Sequence, residues 1–306
     1  MHVRKLLCIA ILCSAGSIEA QPPAPADGAA PARVPTVALV AAIGDQLDVV
    51  RQRPSTGTNI EPFSRKSFAL NSQALNYSVL RGLDRALEDE EPQTRRILLA
   101  WTAPADVKQR LAEARGSERE AIVLAALRAH LTSLPERARW DRIEAILPSY
   151  FYEATSGMGR KLSGVGFYVQ PLSNGAIPVD WNINTDASAA TVDQAPEQES
   201  DYKTVDPHTG KVGHSYTYLA TYMYFQRITL DARTLEVLAT KQQLDNIKYA
   251  DPKATAIDVG DQIPLSVMTT KLLEMAEQSA YTSVRGKSYV STTAPRPVQP
   301  AASSPP

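Results

Sequence analysis

Blocks of apolar and polar positions divide this chain into elements. Residues 37–43 (VALVAAI) are an unbroken apolar run that predicts a buried strand, and 46–52 (QLDVVRQ) predict a second. Gly44-Asp45 lies between them, and a glycine opening a two-residue connection favours the primed turn of a tight hairpin. Residues 53–65 contain Pro54, Gly57 and Pro62 and predict a loop. Over 72–88, Leu75, Val79, Leu83 and Leu87 recur every four positions with Leu80 beside them. Gln73, Asn76, Arg81, Asp84 and Arg85 take the other side, which predicts an amphipathic helix.

Residues 97–101 (ILLAW) predict a central strand, and 105–115 a helix that stops at Gly116. The next helix opens on Ser117-Glu118-Arg119-Glu120, the pattern of a capping box in which serine and glutamate satisfy free backbone donors. Its expected core face is Ile122, Leu124, Leu127, Leu131 and Leu134. Strands follow at 143–152 and 165–172. Residues 173–215 are polar and without period, so they read as a loop, although one that long is unusual inside a compact domain. Segments 216–231 and 235–244 pair as a long hairpin across 232–234. A last helix, 264–280, begins on Pro264 and sets Leu265, Met268, Leu272, Met275 and Ser279 on one face. The fold class expected is α/β: a mixed sheet with an early hairpin, helices packed on it, and a late long antiparallel hairpin. An early hairpin excludes a purely parallel sheet.

The ends change the picture. Arg4 and Lys5 precede the apolar run 6–13, and the small residues Ser14, Ala15 and Gly16 follow, the order of a secretory signal peptide. The run is too short for a stable membrane span, which needs about 20 apolar residues. Ile18 and Ala20 suit the positions that signal peptidase reads, so cleavage is expected after Ala20, with export to the periplasm or beyond. Cys13 raises lipid attachment instead, but Leu12 stands where a small residue is required. Both cysteines, Cys8 and Cys13, lie in this segment, so the mature chain holds no thiol or disulfide. Residues 21–33 and 291–306 are rich in Pro and Ala and read as a linker and a disordered tail around one globular domain, 34–290. Removing residues 1–20 takes away two basic residues and one acidic one, moving the formal charge from −1 to −2. That balance favours neither nucleic acid nor an anionic membrane as partner, and the mature chain carries no transmembrane segment.

Few motifs carry chemistry. Gly44-Asp45 at a strand end resembles the opening of the SGNH hydrolases, but Gln46 stands where their nucleophilic serine falls, and no histidine follows His214 to act as base. The same dipeptide occurs in calcineurin-like phosphoesterases, which need more His and Asp ligands than His130, His208 and His214 allow. His208 and His214, with Asp201, Asp206 and Lys203 nearby, offer imidazole and carboxylate donors of the kind zinc takes. Their spacing matches no common site, and they sit in a predicted loop without rigid support. His130 falls among leucines and reads as a boundary residue. Gly157-Met158-Gly159 and Gly164-Val165-Gly166 precede a strand rather than a helix, so they serve turns rather than a phosphate cradle. Glu88 to Glu91 read as a solvated helix end. No metal, cofactor or catalytic residue is expected.

Tyr216, Tyr218, Tyr222 and Tyr224 share parity, so a strand projects all four to one face, with Leu219, Met223 and Phe225 on the other. A stripe of phenols is either core or an aromatic platform for a partner. These four are the candidate partner-binding residues.

Residues 37–52, the helix 72–88 and the hairpin 225–238 (FQRITLDARTLEVL) together resemble secreted proteins of proteobacteria. The element order is also similar to the curli-secretion lipoprotein and the N-terminal domain of the Tol propeller protein. Their hairpin carries a glycine where Leu235 stands here. The resemblance implies an envelope fold and carries no catalytic residue across. The reading is an exported, envelope-associated binding or assembly module whose partner is an unknown envelope protein or ligand. The alternative is a periplasmic hydrolase with a carboxylate site, using Asp45 at a strand end. A concave pocket with polar groups converging on Asp45 is expected of the hydrolase, and a flat aromatic patch of the module.

Overall fold

β1 (Thr36–Ala41) is apolar at nearly every position because it is a parallel strand covered on both faces. Its two neighbours are β4 (Arg95–Leu99) and β5 (Arg142–Pro148), both parallel to it. The computed structural model describes residues 33–53, 63–70, 73–150, 161–171, 202–256 and 258–285. The expected signal, linker and tail therefore lie outside the described residues, Arg33 aside.

With both edges of β1 filled, the hairpin expected across Gly44-Asp45 does not form. β2 (Gln46–Gln52) pairs antiparallel with β3 (Phe63–Ala69) and parallel with β6 (Val165–Gln170). The early hairpin exists, one strand later than expected. Gly44, at φ +96°, turns the chain from one part of the sheet into another. β3 was missed because it is an exposed edge strand without apolar alternation. β4, expected to be central, pairs with β1 alone among the described strands and exposes Leu98.

The sheet has ten strands and forks at β9 (Tyr218–Asp231). β6 pairs with the first half of β9, from Tyr218 to Met223. β5 pairs with the second half, from Phe225 to Asp231. Tyr224 is the branch point: its N–H donates to Gly164 at 2.8 Å, and its carbonyl accepts from Ser149 N–H at 2.8 Å. One arm is thus β4-β1-β5 and the other β3-β2-β6. On its far side β9 pairs along its length with β10 (Val237–Tyr249), the long hairpin expected from the sequence. Leu235 takes φ +60° in the connection. Beyond β10, β7 (Tyr202–Val205) and β8 (Val212–Ser215) form a small hairpin, which corrects the loop expected over 173–215 at its C-terminal end.

Parity along β9 sorts the core. Leu219, Met223 and Phe225 face α1 (Ala74–Glu90) and α5 (Leu265–Arg285), which follows the one-turn α4 (Val259–Gln262). Leu75, Val79, Leu83 and Leu87 of α1 and Met268, Leu272 and Met275 of α5 complete that layer, as their spacing predicts. Leu265 is exposed instead. On the opposite face, Ile228 and Leu230 join Leu127 and Leu131 of α3 (Ser117–Thr132), with Trp101 and Trp140. The tyrosines occupy that same face on the other arm. No helix among the described residues is long and apolar enough to cross a membrane.

Candidate functional site

Where the two arms part, a small cleft with a cavity volume of about 50 Å³ opens between the strand ends and α2 (Ala105–Glu113) with α3. Its walls include Asp45 and Asp48 from the crossover and β2, Lys108 from α2, Arg119 from α3, and Tyr150 and Ser163 from the segments that close the fork. The location follows from topology: two adjacent parallel pairs that diverge leave a crevice at the carboxyl ends of β1 and β5.

The crossover is held from outside. Leu70 N–H donates to Asp45 O at 2.5 Å, and Ile43 N–H donates to Asn76 Oδ1 at 3.1 Å. Asn76 was expected on the polar side of α1 but is buried for this contact. Within the cleft, Lys108 Nζ donates to Asp45 Oδ2. Asp48 accepts from Ser67 Oγ at 2.5 Å and lies 3.7 Å from Arg65 Nε. Arg65 also donates to Ser163 Oγ at 2.9 Å.

Glu120 does not close a capping box. The residue before α3 is Gly116, with no side-chain cap. Glu120 instead accepts from Ser149 Oγ at 2.9 Å, Tyr150 N–H at 2.7 Å and Gln226 Nε2 at 2.7 Å. It ties α3 to both strands at the fork, and so sets the position of its neighbour Arg119. The Arg119 guanidinium lies over the Tyr150 ring, 3.8 Å from its centroid. Its Nε is buried and has no hydrogen-bond partner among the described residues. Burial pushes the Tyr150 phenol above its ordinary range, against the opposing pull of Arg119.

Tyr218, Tyr222 and Tyr224 are buried together with Tyr168, Val50 and Leu162. Their rings contact one another edge-on or tilted, as in the Tyr222–Tyr224 pair at 5.7 Å. Tyr216 precedes β9 and is half exposed. The expected shared face holds for Tyr218, Tyr222 and Tyr224 and not for Tyr216, and a partner approaching this surface as it stands would meet Tyr216 and not the other three.

The histidines are dispersed by their local roles. Asp206 caps its own turn by accepting from the N–H groups of His208 and Thr209, and His208 lies 3.7 Å from Asp251. Among the described residues no three His, Cys, Asp or Glu side chains are grouped to hold a metal.

Sequence reasoning singled out Asp45 but not Lys108, Arg119 or Glu120. The i,i+3 spacing of Ser117 and Glu120 imitated a cap and hid the role of the glutamate. No family model matches this chain, and no curated protein matches it in sequence. Among solved structures it has a likeness to the crystal structure of a Xanthomonas campestris protein of family model DUF330. That likeness is at 8% identity and a TM-score of 0.29, covering 82% of this chain and 78% of the other. A likeness at this level passes neither fold nor function to the chain.

Proposed function

We propose that this is an exported, envelope-associated binding protein whose working site is the cleft at the sheet fork. The observation that carries the reading is the convergence of Asp45, Asp48, Lys108 and Arg119 on one concave site at strand ends. Ligand sites in open α/β sheets form at such divergences because the backbone there is released from ladder pairing. Export rests on the basic, apolar and small-residue order of residues 1–20.

Binding is favoured over hydrolysis by how the carboxylates are engaged. Asp45 is held by Lys108 and Asp48 by Ser67. Ser163, a serine hydroxyl in the cleft wall, accepts from Arg65, a cation that cannot serve as its base. Hydrolysis stays as a second reading because two aspartates do line a concave site, as that alternative requires.

The test is native mass spectrometry of the protein recovered from the periplasm, alongside Ala103→Trp, which places a large ring in the cleft wall. The expected result is a chain beginning at Gln21 that carries a small molecule, with that molecule lost in the variant. A chain retaining residues 1–20 would overturn the export claim. A molecule retained equally in Ala103→Trp would overturn the cleft. Turnover of an ester or phosphoester panel that is lost in Asp45→Asn would favour the hydrolase.

A further inference from the structure

We infer that the fork cleft takes its ligand by an oxyanion group, a carboxylate or a phosphate, held in the plane of the Arg119 guanidinium; this rests on the cleft being the binding site. The charges in the walls account for themselves with one exception. Asp45 is matched by Lys108, Asp48 by Ser67 and Arg65, and Glu120 by three donors. Among the described residues, Arg119 makes no hydrogen bond or ion pair, and its contact is the stacked Tyr150 ring. A ring over the face of a guanidinium contributes cation–π attraction but no acceptor for the N–H groups, which point outward in the plane.

The Arg119 Nε–H is shut away from water without an acceptor among the described residues; Arg128 and Arg137 share that feature, but of the three only Arg119 lines the cleft. Buried donors are almost always satisfied, and one that is not calls for a partner beyond those the described residues supply. A guanidinium presents its donors as a rigid fork that fits the paired oxygens of a carboxylate or phosphate. The group is also pre-positioned: Glu120, next in sequence, anchors α3 to Ser149 and Tyr150, so the ring beneath Arg119 and the helix bearing it are fixed to each other. Pre-positioning lowers the ordering cost that a flexible surface arginine would incur on binding.

The paired carboxylates shape what is accepted. Asp45 and Asp48 border the same cleft, so a polyanion with charge on every side is disfavoured, and a ligand with one anionic end fits. Lys108 is committed to Asp45 and supplies no second free cation.

The experiment follows the arginine Nε–H resonances of the mature protein by NMR. Inorganic phosphate and acetate are titrated separately, with chloride at matched ionic strength as the control. The Arg119→Gln variant assigns the Arg119 signal and serves as the non-binding form. The expected result is a saturable shift of the Arg119 signal with phosphate, acetate or both, absent with chloride, and an apparent affinity at least tenfold weaker in Arg119→Lys as read from backbone signals at the fork. The phosphate and acetate arms tell the two ligand chemistries apart. A drift with all three salts, equal to that of the other arginines, would overturn the inference. Should the molecule found by mass spectrometry be lost in Ala103→Trp yet retained in Arg119→Gln, the cleft stands and the oxyanion inference falls. If neither variant affects it, both fall.

Discussion

Asn76 Oδ1, buried in α1, accepts the backbone N–H of Ile43 at 3.1 Å, just past the end of β1. The contact fastens the chain where it leaves one arm of the sheet for the other. Asn76→Leu removes the acceptor and strands a buried N–H, a loss of about 1–3 kcal/mol. Urea unfolding should show that loss with an unchanged slope. A cost under a few tenths would mean Ile43 finds another acceptor.

Glu144 is buried in β5 between Arg142 and Arg227, with Thr229 Oγ1 donating to it at 3.0 Å. Glu144→Ala leaves Arg227 without its carboxylate while Arg142 keeps Glu91, and breaking such a partly buried pair costs up to about 3–5 kcal/mol. Equilibrium unfolding checks the value. Loss of less than 1 kcal/mol would show Arg227 swings out to water.

Arg142 also reaches Glu91 at 2.6 Å, and this hydrogen bond holds the Glu91 carboxyl below the ordinary glutamate range. A depressed carboxyl stabilises the fold above its unfolded pKa, and that contribution is lost as pH falls through the folded value. Melting temperature should therefore fall below about pH 4.3, and Glu91→Gln should make that acid limb shallower. An unchanged limb would show that other carboxylates govern acid unfolding.

Much of this framework was legible in the sequence. The fourfold leucine spacing of α1, the apolar run of β1 and the turn between β9 and β10 are local signals, and each element lies where its pattern put it. Pairing was less legible. Gly44-Asp45 has the chemistry of a hairpin turn, yet β1 is taken on both sides by strands more than 50 residues downstream, and long-range burial prevails over local turn preference. The site was legible only at Asp45. Arg119 and Glu120 sit in a helix whose sequence advertises a cap, and their function comes from Ser149 and Tyr150, which a linear reading cannot bring near.

The tyrosine face separates two hydroxyls with opposite status. Tyr168 Oη reaches Gln170 Oε1 at 2.9 Å. Tyr222 Oη is buried with no partner among the described residues, and burial, with the field of Asp48, pushes its phenol well above the ordinary range. Tyr222→Phe deletes an unsatisfied donor and should hold or raise stability, by up to about 1–3 kcal/mol, whereas Tyr168→Phe should lose about 1 kcal/mol. Thermal melts of the two variants decide it. Equal losses would mean the Tyr222 hydroxyl is engaged.

The fork cleft is the centre of this account, and a single titration tests it most directly. Backbone amide signals of the isotope-labelled protein are followed as a small-molecule cell extract is added. The account predicts perturbations grouped at Gly44, Asp45, Lys108, Arg119, Tyr150 and Gly164, the residues around the cleft. Perturbations grouped instead at Tyr216 and β8, with the fork signals unmoved, would contradict it.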